Sequence, residues 1–267
     1  MDSDIFALTR GMAPLLVSFP HAGTRIPPEL ERRMTPAALQ RADVDWHLPQ
    51  LYDFARGMGA SLLVARHARH VIDLNRPPED ESLYPGQDVT GLIPLDTFRK
   101  EPLYQSGEEP DAAEVRDRVA RYWQPYHDAL SAELARLRAL HGQVVLWEAH
   151  SICSVLPRFF AGKLADLNLG TAEGGACAPA VQAAVEAQLA AQTTFAHVSN
   201  GRFKGGHITR HYGNPDKCVH AVQLEMCWSC YMAERPPYEL DAKRVERLSP
   251  VLQALVLTML RWSPQHG

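Results

Sequence analysis

Four apolar runs in this chain, each typical of a buried strand, lead into side chains that can bind a metal, bind a carboxylate or move a proton. In chain order, these side chains are His21, then Asp73, Asn75 and Arg76, then Glu148 and His150, and finally Glu225. In an open, mostly parallel sheet, ligands bind beyond the carboxyl ends of the strands, where residues far apart in sequence converge. Histidines, acids and an arginine in such positions predict a hydrolytic metal site.

A zinc site is the first chemistry that these residue types allow. Catalytic zinc is commonly held by two histidines and a carboxylate, with a fourth position left for water. His21 and His150 are the candidate histidine ligands, because each follows an apolar run. Asp45 is the candidate carboxylate, since it lies near the start of a predicted helix after the first run, where aspartate is also a common cap. Asp43 and His47 compete with it.

A general base is expected at Glu225, where the fourth apolar run ends. Burial raises the pKa of a carboxyl group, so a carboxyl beside a buried strand can accept a proton near neutral pH. Glu148 is the alternative base. It lies on the same strand face as His150 but deeper, because side chains alternate along a strand. A structural ion pair is the competing interpretation of either acid.

Cationic and amide side chains predict recognition of a small anion. Asn75 and Arg76 follow the second apolar run, and an arginine can grip a carboxylate through two parallel hydrogen bonds. A glycine-rich segment later in the chain supplies Arg202, His207 and Arg210. Together these residues are typical of a site that holds a small dianionic substrate between two cationic ends, with Arg76 and Arg210 expected to hold the two carboxylates.

The apolar pattern around these residues alternates between strand-like and helix-like segments, which predicts an α/β fold. The predicted strands cover about residues 15–19, 61–65, 70–74, 144–147, 164–169, 195–199 and 219–225. The predicted helices cover about 35–56 in one or two pieces, 111–140 with a kink at Pro125, 179–191 and 240–261. Residues 76–110 are rich in proline and lack periodicity, as in loops that cover a site. No linker divides the chain, so residues 1–267 are expected to form a single domain.

The bulk composition is that of an ordinary soluble enzyme. With 46% hydrophobic residues, the 267-residue chain can bury a sizeable core. A net charge of -4 and a pI near 6.3 give no general attraction to nucleic acid or to an anionic membrane. The acidic segment 1–6 is not followed by the apolar core of a signal peptide, and no run approaches the ~18 apolar residues of a membrane span. We therefore expect a cytoplasmic protein without nucleic-acid or membrane partners, and the pattern favours no particular oligomeric state.

The five cysteines are too few and too irregularly spaced for a disulfide framework, which predicts packing roles for most of them. Cys227 and Cys230 have the spacing of a redox motif, but the second such pair that a structural zinc site would need is missing. A thiol-redox protein built on these two cysteines is therefore the minor alternative.

Six segments together carry a resemblance to a known family. They are residues 18–24, 43–46, 73–76, 148–151, 200–210 and 223–226. With these segments in this order, most of the chain resembles the N-formylglutamate amidohydrolases. The resemblance implies a three-layer, phosphorylase/hydrolase-like α/β fold with a mixed, mostly parallel central sheet, related to zinc carboxypeptidases and aspartoacylase. It also implies one zinc ion per chain and hydrolysis of N-formyl-L-glutamate to formate and L-glutamate, in histidine degradation.

The resemblance also bears on individual residues. Aspartoacylase-like enzymes bind the substrate carboxylate with an Asp-x-Asn-Arg segment, which supports the role expected for Arg76. Those enzymes carry a glutamate soon after the first histidine, whereas position 24 here is Thr24, so Asp45 and Asp43 both stay open as the carboxylate ligand. A zinc hydrolase of another N-acyl amino acid or of a short peptide would use the same core. A metal-binding module without turnover is a further alternative.

Overall fold

A seven-stranded sheet forms the centre of the molecule. The computed structural model describes residues 3–82 and 86–262, so Met1 and Asp2 of the acidic N-terminal segment lie outside the described residues. The strands are β1 (Phe6–Thr9), β2 (Leu15–Phe19), β3 (Ser61–Ala65), β4 (Val144–Ile152), β5 (Leu167–Gly170), β6 (His197–Ser199) and β7 (Val219–Cys227). Their order across the sheet is β1-β3-β2-β4-β7-β5-β6.

The sheet is mixed but mostly parallel. β3, β2, β4 and β7 are parallel neighbours, and β6 is parallel to β5. β1 pairs antiparallel with β3, and β5 pairs antiparallel with β7. The predicted mixed α/β sheet is therefore confirmed. Because β2, β4 and β7 run in the same direction, their carboxyl ends meet at one edge of the sheet.

Helices cover both faces of this sheet. They are α1 (Pro28–Glu31), α2 (Pro36–Leu39), α3 (Leu48–Leu51), α4 (Phe54–Gly57), α5 (Ala112–Arg118), α6 (Gln124–His141), α7 (Pro179–Ala191), α8 (His207–Tyr212) and α9 (Ala242–Arg261). Successive residues of β2 point to opposite faces, so Leu16 enters the core under α6 and Val17 enters the core under α7 and α9. Within the described ranges, none of these helices combines the length and apolar content that a membrane span requires.

The predicted helix at 111–140 is a continuous helical segment with a local widening. Asp111 caps α5, because its side chain accepts a hydrogen bond from the backbone N–H of Glu114 at 2.8 Å. A π-helical turn at Val119–Trp123 joins α5 to α6. Pro125 lacks an N–H, and its ring would crowd the carbonyl of Arg121 in a regular helix. The wider π turn lies where that crowding would arise, so the proline is accommodated without ending the helix.

The region predicted as one or two helices at 35–56 instead forms the three short helices α2, α3 and α4. Thr35 is the expected cap of the first, since its side chain accepts from the backbone N–H of Ala38 at 3.3 Å. Arg41 and His47 adopt φ values of 54° and 64°, which lie in the left-handed region. A right-handed helix cannot continue through such residues, so the segment is broken at these two points.

The predicted strand at 70–74 is wrong. The backbone N–H of Val71 donates to the carbonyl of Ala68 at 2.8 Å, and that of Asp73 donates to Leu92 at 2.7 Å, so the segment forms a turn. Val71 and Ile72 are nevertheless buried in the core under α6. A short apolar run indicates that a segment is buried, but in this case the segment does not pair as a strand.

β4 and β7 are longer than predicted. They stay paired as far as Ile152 opposite Cys227, so Glu148, His150 and Glu225 lie inside strands and not beyond their ends. The predicted strands at 15–19 and 61–65 and the helix at 179–191 are confirmed. β5, β6 and α9 begin within three residues of the predicted positions. The described residues of 76–110 contain no helix or strand, as expected for a loop.

Candidate active site

Three of the predicted residues meet at the carboxyl edge of β2 and β4. His21 lies two residues after β2, and its carbonyl accepts the backbone N–H of Asp45 at 3.0 Å. His150 lies in β4, which is paired directly with β2. One potential ligand atom from each of His21, Asp45 and His150 lies within 4.8 Å of the other two, and all three residues are buried. The sequence-predicted ligand set is therefore brought together in space.

The chemistry of this group fits a divalent metal. His150 Nδ1 lies 3.0 Å from Asp45 Oδ2, and His21 Nδ1 lies 3.8 Å from the same oxygen. The other nitrogen of each ring faces a second carboxylate: His21 Nε2 is 2.6 Å from Asp73 Oδ1, and His150 Nε2 is 2.7 Å from Glu148 Oε1. Histidines that ligate metals usually donate their second N–H to a carboxylate in this way. Both Nδ1 atoms are therefore turned toward the common centre.

The two competing candidates, Asp43 and His47, contact residues outside the group of three. Asp43 Oδ2 accepts the backbone N–H of Phe98 at 2.9 Å and lies 3.5 Å from His70 Nε2. His47 Nε2 contacts the carbonyl of Tyr238 at 2.7 Å. Neither residue belongs to the group of three, so the geometry favours Asp45 as the carboxylate.

The electrostatics of the two histidines differ. Burial, reinforced by the charge of Arg69, lowers the pKa of His21, which favours the neutral ring that binds metals. Burial also acts to lower the pKa of His150, but Glu148 and Asp45 outweigh it and raise that pKa well above the usual value. The carboxylates around His150 thus favour a positive charge at this point, whether from a proton or from a metal ion.

Glu225 stands opposite His150 in the parallel pairing of β4 with β7, so the two side chains share a sheet face. Burial raises the pKa of Glu225 to about 8, with His150 opposing the shift and Asp45 reinforcing it. In the part of the chain that the structure describes, no donor forms a hydrogen bond with its carboxylate. A carboxyl group in this state can take up and release a proton near neutral pH.

Glu148 is committed to other partners. One oxygen contacts His150 Nε2, and the other accepts the hydroxyl of Thr209. Glu225 lines the pocket, whereas Glu148 is not among the described lining residues. The geometry therefore separates the two acids: Glu148 orients His150, and Glu225 faces the ligand space.

A pocket opens beside this group. Its lining includes Phe98, Phe159 and Phe203 together with Asn75, Arg76 and Arg202. Asn75 Nδ2 lies 3.1 Å from His150 Nε2, and Arg76 and Arg202 each hold a backbone carbonyl through Nε, that of Thr90 at 2.9 Å and that of Phe159 at 2.7 Å. Aromatic walls with two guanidinium groups suit a small anionic ligand.

His207 and Arg210 are not among the described lining residues. The His207 ring packs 5.8 Å from Trp123 and 5.6 Å from His127, and burial lowers its pKa to about 4. Arg210 Nε donates to the carbonyl of Gly205 at 2.9 Å. At Gly206 the backbone itself comes close to the site, since a Cβ there would lie 2.2 Å from Asn75 Nδ2.

Arg69 is the main residue that the sequence reasoning missed. It lines the pocket with only 7% of its surface exposed, and its guanidinium lies over the ring of Phe98 at 4.6 Å. Nη2 donates to Asp73 Oδ2 at 2.6 Å, and Nη1 is 3.3 Å from His21 Nδ1. Arg69 precedes Asp73 by four positions, so the sequence shows that the two charges could pair. The pairing was missed because residues 70–74 were predicted as a strand.

Comparison with known proteins identifies the family to which this chain belongs. The family model described as N-formylglutamate amidohydrolase matches residues 13–232. The chain belongs to the N-formylglutamate amidohydrolase family. It is 47% identical over 263 residues to the N-formylglutamate deformylase of Pseudomonas aeruginosa and 45% identical over 262 residues to that of Pseudomonas putida. Each comparison covers 98% of both chains.

Solved structures agree with this family and with the fold. The crystal structure of N-formylglutamate amidohydrolase from Ralstonia eutropha JMP134 matches with a TM-score of 0.79 at 27% identity, over 96% of both chains. A gene product from Agrobacterium tumefaciens matches with a TM-score of 0.70 at 18% identity, over 96% of this chain and 95% of that one. The second likeness concerns the fold alone.

Proposed function

We propose that this chain is a zinc-dependent amidohydrolase that cleaves N-formyl-L-glutamate to formate and L-glutamate, in histidine degradation. The observation that carries the proposal is the grouping of His21, Asp45 and His150 in a pocket that also holds arginines. Glu225 lines the same pocket, and no described residue donates a hydrogen bond to its carboxylate. The deformylase names of the two Pseudomonas relatives support the substrate. A cytoplasmic location, a single domain over residues 1–267 and a fold related to zinc carboxypeptidases and aspartoacylase belong to the same proposal.

His21, Asp45 and His150 would hold one zinc ion per chain. When bound, zinc lowers the pKa of a water molecule toward ~7 and polarises a carbonyl group. Asp73 and Glu148 would fix the orientation of the two histidine rings through their second nitrogens. The exchange of either acid for its amide would therefore weaken metal binding without removing a ligand.

Glu225 is the proposed general base. It would accept a proton from the attacking water as the water oxygen adds to the formyl carbon. It would then deliver that proton to the amide nitrogen as the carbon–nitrogen bond breaks, releasing formate and the amino group of glutamate. Its burial supports this role, because a carboxyl group with a raised pKa is a stronger base than a solvated one.

The arginines would position the substrate and balance its charge. Arg76 and Arg202 line the pocket and would pair with the two glutamate carboxylates. Arg69, beside His21 Nδ1, would offset the negative charge that develops on the formyl oxygen. Roles for Asn75, His207 and Arg210 in substrate binding stay predictions, and of these three residues only Asn75 lies in the pocket lining.

Amine release from three substrates tests the assignment. With purified protein and zinc, we expect kcat/KM for N-formyl-L-glutamate to exceed that for N-acetyl-L-glutamate and N-formyl-L-glutamine by about tenfold or more, because one substrate adds a methyl group and the other lacks a charge. Similar values for all three would favour the alternative, a broader zinc hydrolase of N-acyl amino acids or short peptides. Hydrolysis of none would contradict the proposal.

A further inference from the structure

Arg158 is not among the described residues that line the pocket, but it belongs to one wall of the pocket and binds another. We define the first wall as residues 86–98, which contribute Val89, Thr90 and Phe98 to the lining. The second wall is residues 153–160, which follow β4 and contribute Phe159. Arg158 belongs to the second wall and is not among the described lining residues.

All three nitrogens of the Arg158 guanidinium bind the first wall. Nε and Nη2 donate to Asp88 Oδ1 at 3.0 and 2.9 Å, and Nη1 donates to Asp96 Oδ1 and to the carbonyl of Thr97, both at 2.7 Å. Only 8% of the Arg158 side chain is exposed. A guanidinium so enclosed and so fully bonded is well ordered, unlike most surface arginines.

These contacts fall next to the residues that line the pocket. Asp88 immediately precedes Val89 and Thr90, and Thr97 immediately precedes Phe98. Arg158 therefore binds the first wall immediately before Val89 and Thr90 and again immediately before Phe98. The rings of Phe98 and Phe159 also meet edge to face, with their centroids 5.0 Å apart, so the two walls touch inside the pocket as well.

The two walls in turn hold the pocket arginines. Arg76 Nε donates to the carbonyl of Thr90 in the first wall, and Arg202 Nε donates to the carbonyl of Phe159 in the second. The carbonyls of Thr90 and Phe159 thus orient the two guanidinium groups. Because Arg158 joins the two walls, it fixes the positions of these carbonyls relative to each other. A displacement of about 1 Å at such positions is enough to weaken binding.

We propose that Arg158 is a positioning residue, which clasps the two walls and thereby sets the spacing of Arg76 and Arg202 for a substrate with two carboxylates. The identity of that substrate rests on the proposed function, whereas the clasp itself does not. Lysine has a single charged nitrogen and cannot span Asp88 and Asp96 with the same fork. Arg158→Lys should therefore restore few of the contacts with the first wall that Arg158→Met removes.

Arg33 provides a matched control. It holds Glu108 through its carbonyl at 2.6 Å and Glu114 through both carboxylate oxygens at 2.9 Å. It resembles Arg158 in using several hydrogen bonds to anchor a loop, but neither residue that it binds lines the pocket. Arg33→Met thus removes a comparable set of bonds away from the site.

Hydrogen exchange tests the clasp without any substrate. The backbone N–H groups of Thr97, Phe98 and Phe159 donate to Glu101 O, Asp43 Oδ2 and Leu156 O, so their exchange is slowed by structure. In Arg158→Met these three amides should exchange roughly tenfold faster, with α6 unchanged. In Arg33→Met they should exchange as in the wild type. Unchanged exchange in Arg158→Met would overturn the clasp.

Kinetics then tests the positioning role. For N-formyl-L-glutamate, Arg158→Met and Arg158→Lys should raise KM by about tenfold or more while kcat changes by less than about threefold, with bound zinc retained. Arg33→Met should leave both constants near those of the wild type. Equal losses in the Arg158 and Arg33 variants, or a wild-type KM in Arg158→Met, would overturn the inference. A wild-type protein that hydrolyses no N-formyl-L-glutamate would overturn the proposed function instead, and exchange would still decide the clasp.

Discussion

At the scale of single residues, the buried acids of the site differ in the hydrogen-bond partners that the described part of the chain gives them. Asp73 and Glu148 each face the second nitrogen of a candidate ligand histidine. Asp45 lies between the two histidines, and Glu225 is left facing the pocket. Four carboxylates are buried close together, and Arg69 compensates the charge of Asp73 through a hydrogen bond of 2.6 Å. Among the described residues, this arrangement favours Glu225 over Glu148 as the acid available for proton transfer.

Glu225→Gln should separate catalysis from metal binding. The substitution keeps the size of the side chain but removes its basicity, so kcat should fall by about 10²-fold or more while zinc content stays at the wild-type level. Formate release and metal analysis on the same preparation would measure this. Glu173→Gln, at an exposed acid paired with Lys204, is the matched control. Near-normal turnover in Glu225→Gln would move the base role to Glu148.

The arginines should differ in what they recognise. Arg76→Lys and Arg202→Lys should each lower kcat/KM for N-formyl-L-glutamate by about 2 kcal/mol or more, because lysine cannot copy a two-donor fork. The arginine that holds the side-chain carboxylate should matter little for N-formyl-L-glutamine, and the other should matter for both substrates. Arg33→Lys, whose partners Glu108 and Glu114 are outside the described lining, serves as the comparison. If neither pocket variant changes the ratio of kcat/KM between the two substrates, the proposed recognition of a dianionic substrate is wrong.

At the scale of elements, the sequence predicted the sheet better than the connections. The apolar runs in β2, β3, β4 and β7 were sufficient to predict these strands. Strands that are buried on both faces have continuous hydrophobic sequences. The buried turn at Val71 and Ile72 has the same composition, so it was predicted as a strand. That error hid Arg69, whose approach to His21 depends on a turn that composition does not reveal.

The packing of α6 against α8 carries a pH dependence. His127 of α6 contacts the hydroxyl of Tyr212 at 2.9 Å and the carbonyl of Leu74 at 2.9 Å. Burial lowers the pKa of His127 from 6.5 to about 3. Between these values the unfolded chain binds a proton that the folded chain does not. The contribution of this histidine to stability is therefore complete above pH ~6.5 and declines as the pH falls toward ~3.

His127→Gln should reduce that dependence. From pH ~6.5 to ~5, the wild type should lose up to about 2 kcal/mol more unfolding free energy than the variant. Urea unfolding of both proteins at several pH values would measure the difference. Parallel stability curves would show that His127 is not buried in its neutral form.

At the scale of the whole molecule, one edge of the sheet gathers residues from distant parts of the chain. β2 leads to His21, β4 carries His150, and β7 carries Glu225, and these three strands are neighbours. The pocket arginines form a local cationic cluster in a chain whose net charge is -4. The sequence predicted this convergence from strand ends, but the clasp at Arg158 required the conformation of two loops that have no periodic pattern.

The dependence of formate release on bound zinc tests the proposed zinc-dependent hydrolysis most directly. The metal should be stripped from the purified protein with a chelator and then returned in measured amounts, with N-formyl-L-glutamate as substrate. Activity should be lost with the metal and should return in proportion to added zinc, reaching its plateau at about one zinc ion per chain. A metal-free protein that releases formate at the full rate would contradict the proposed zinc dependence.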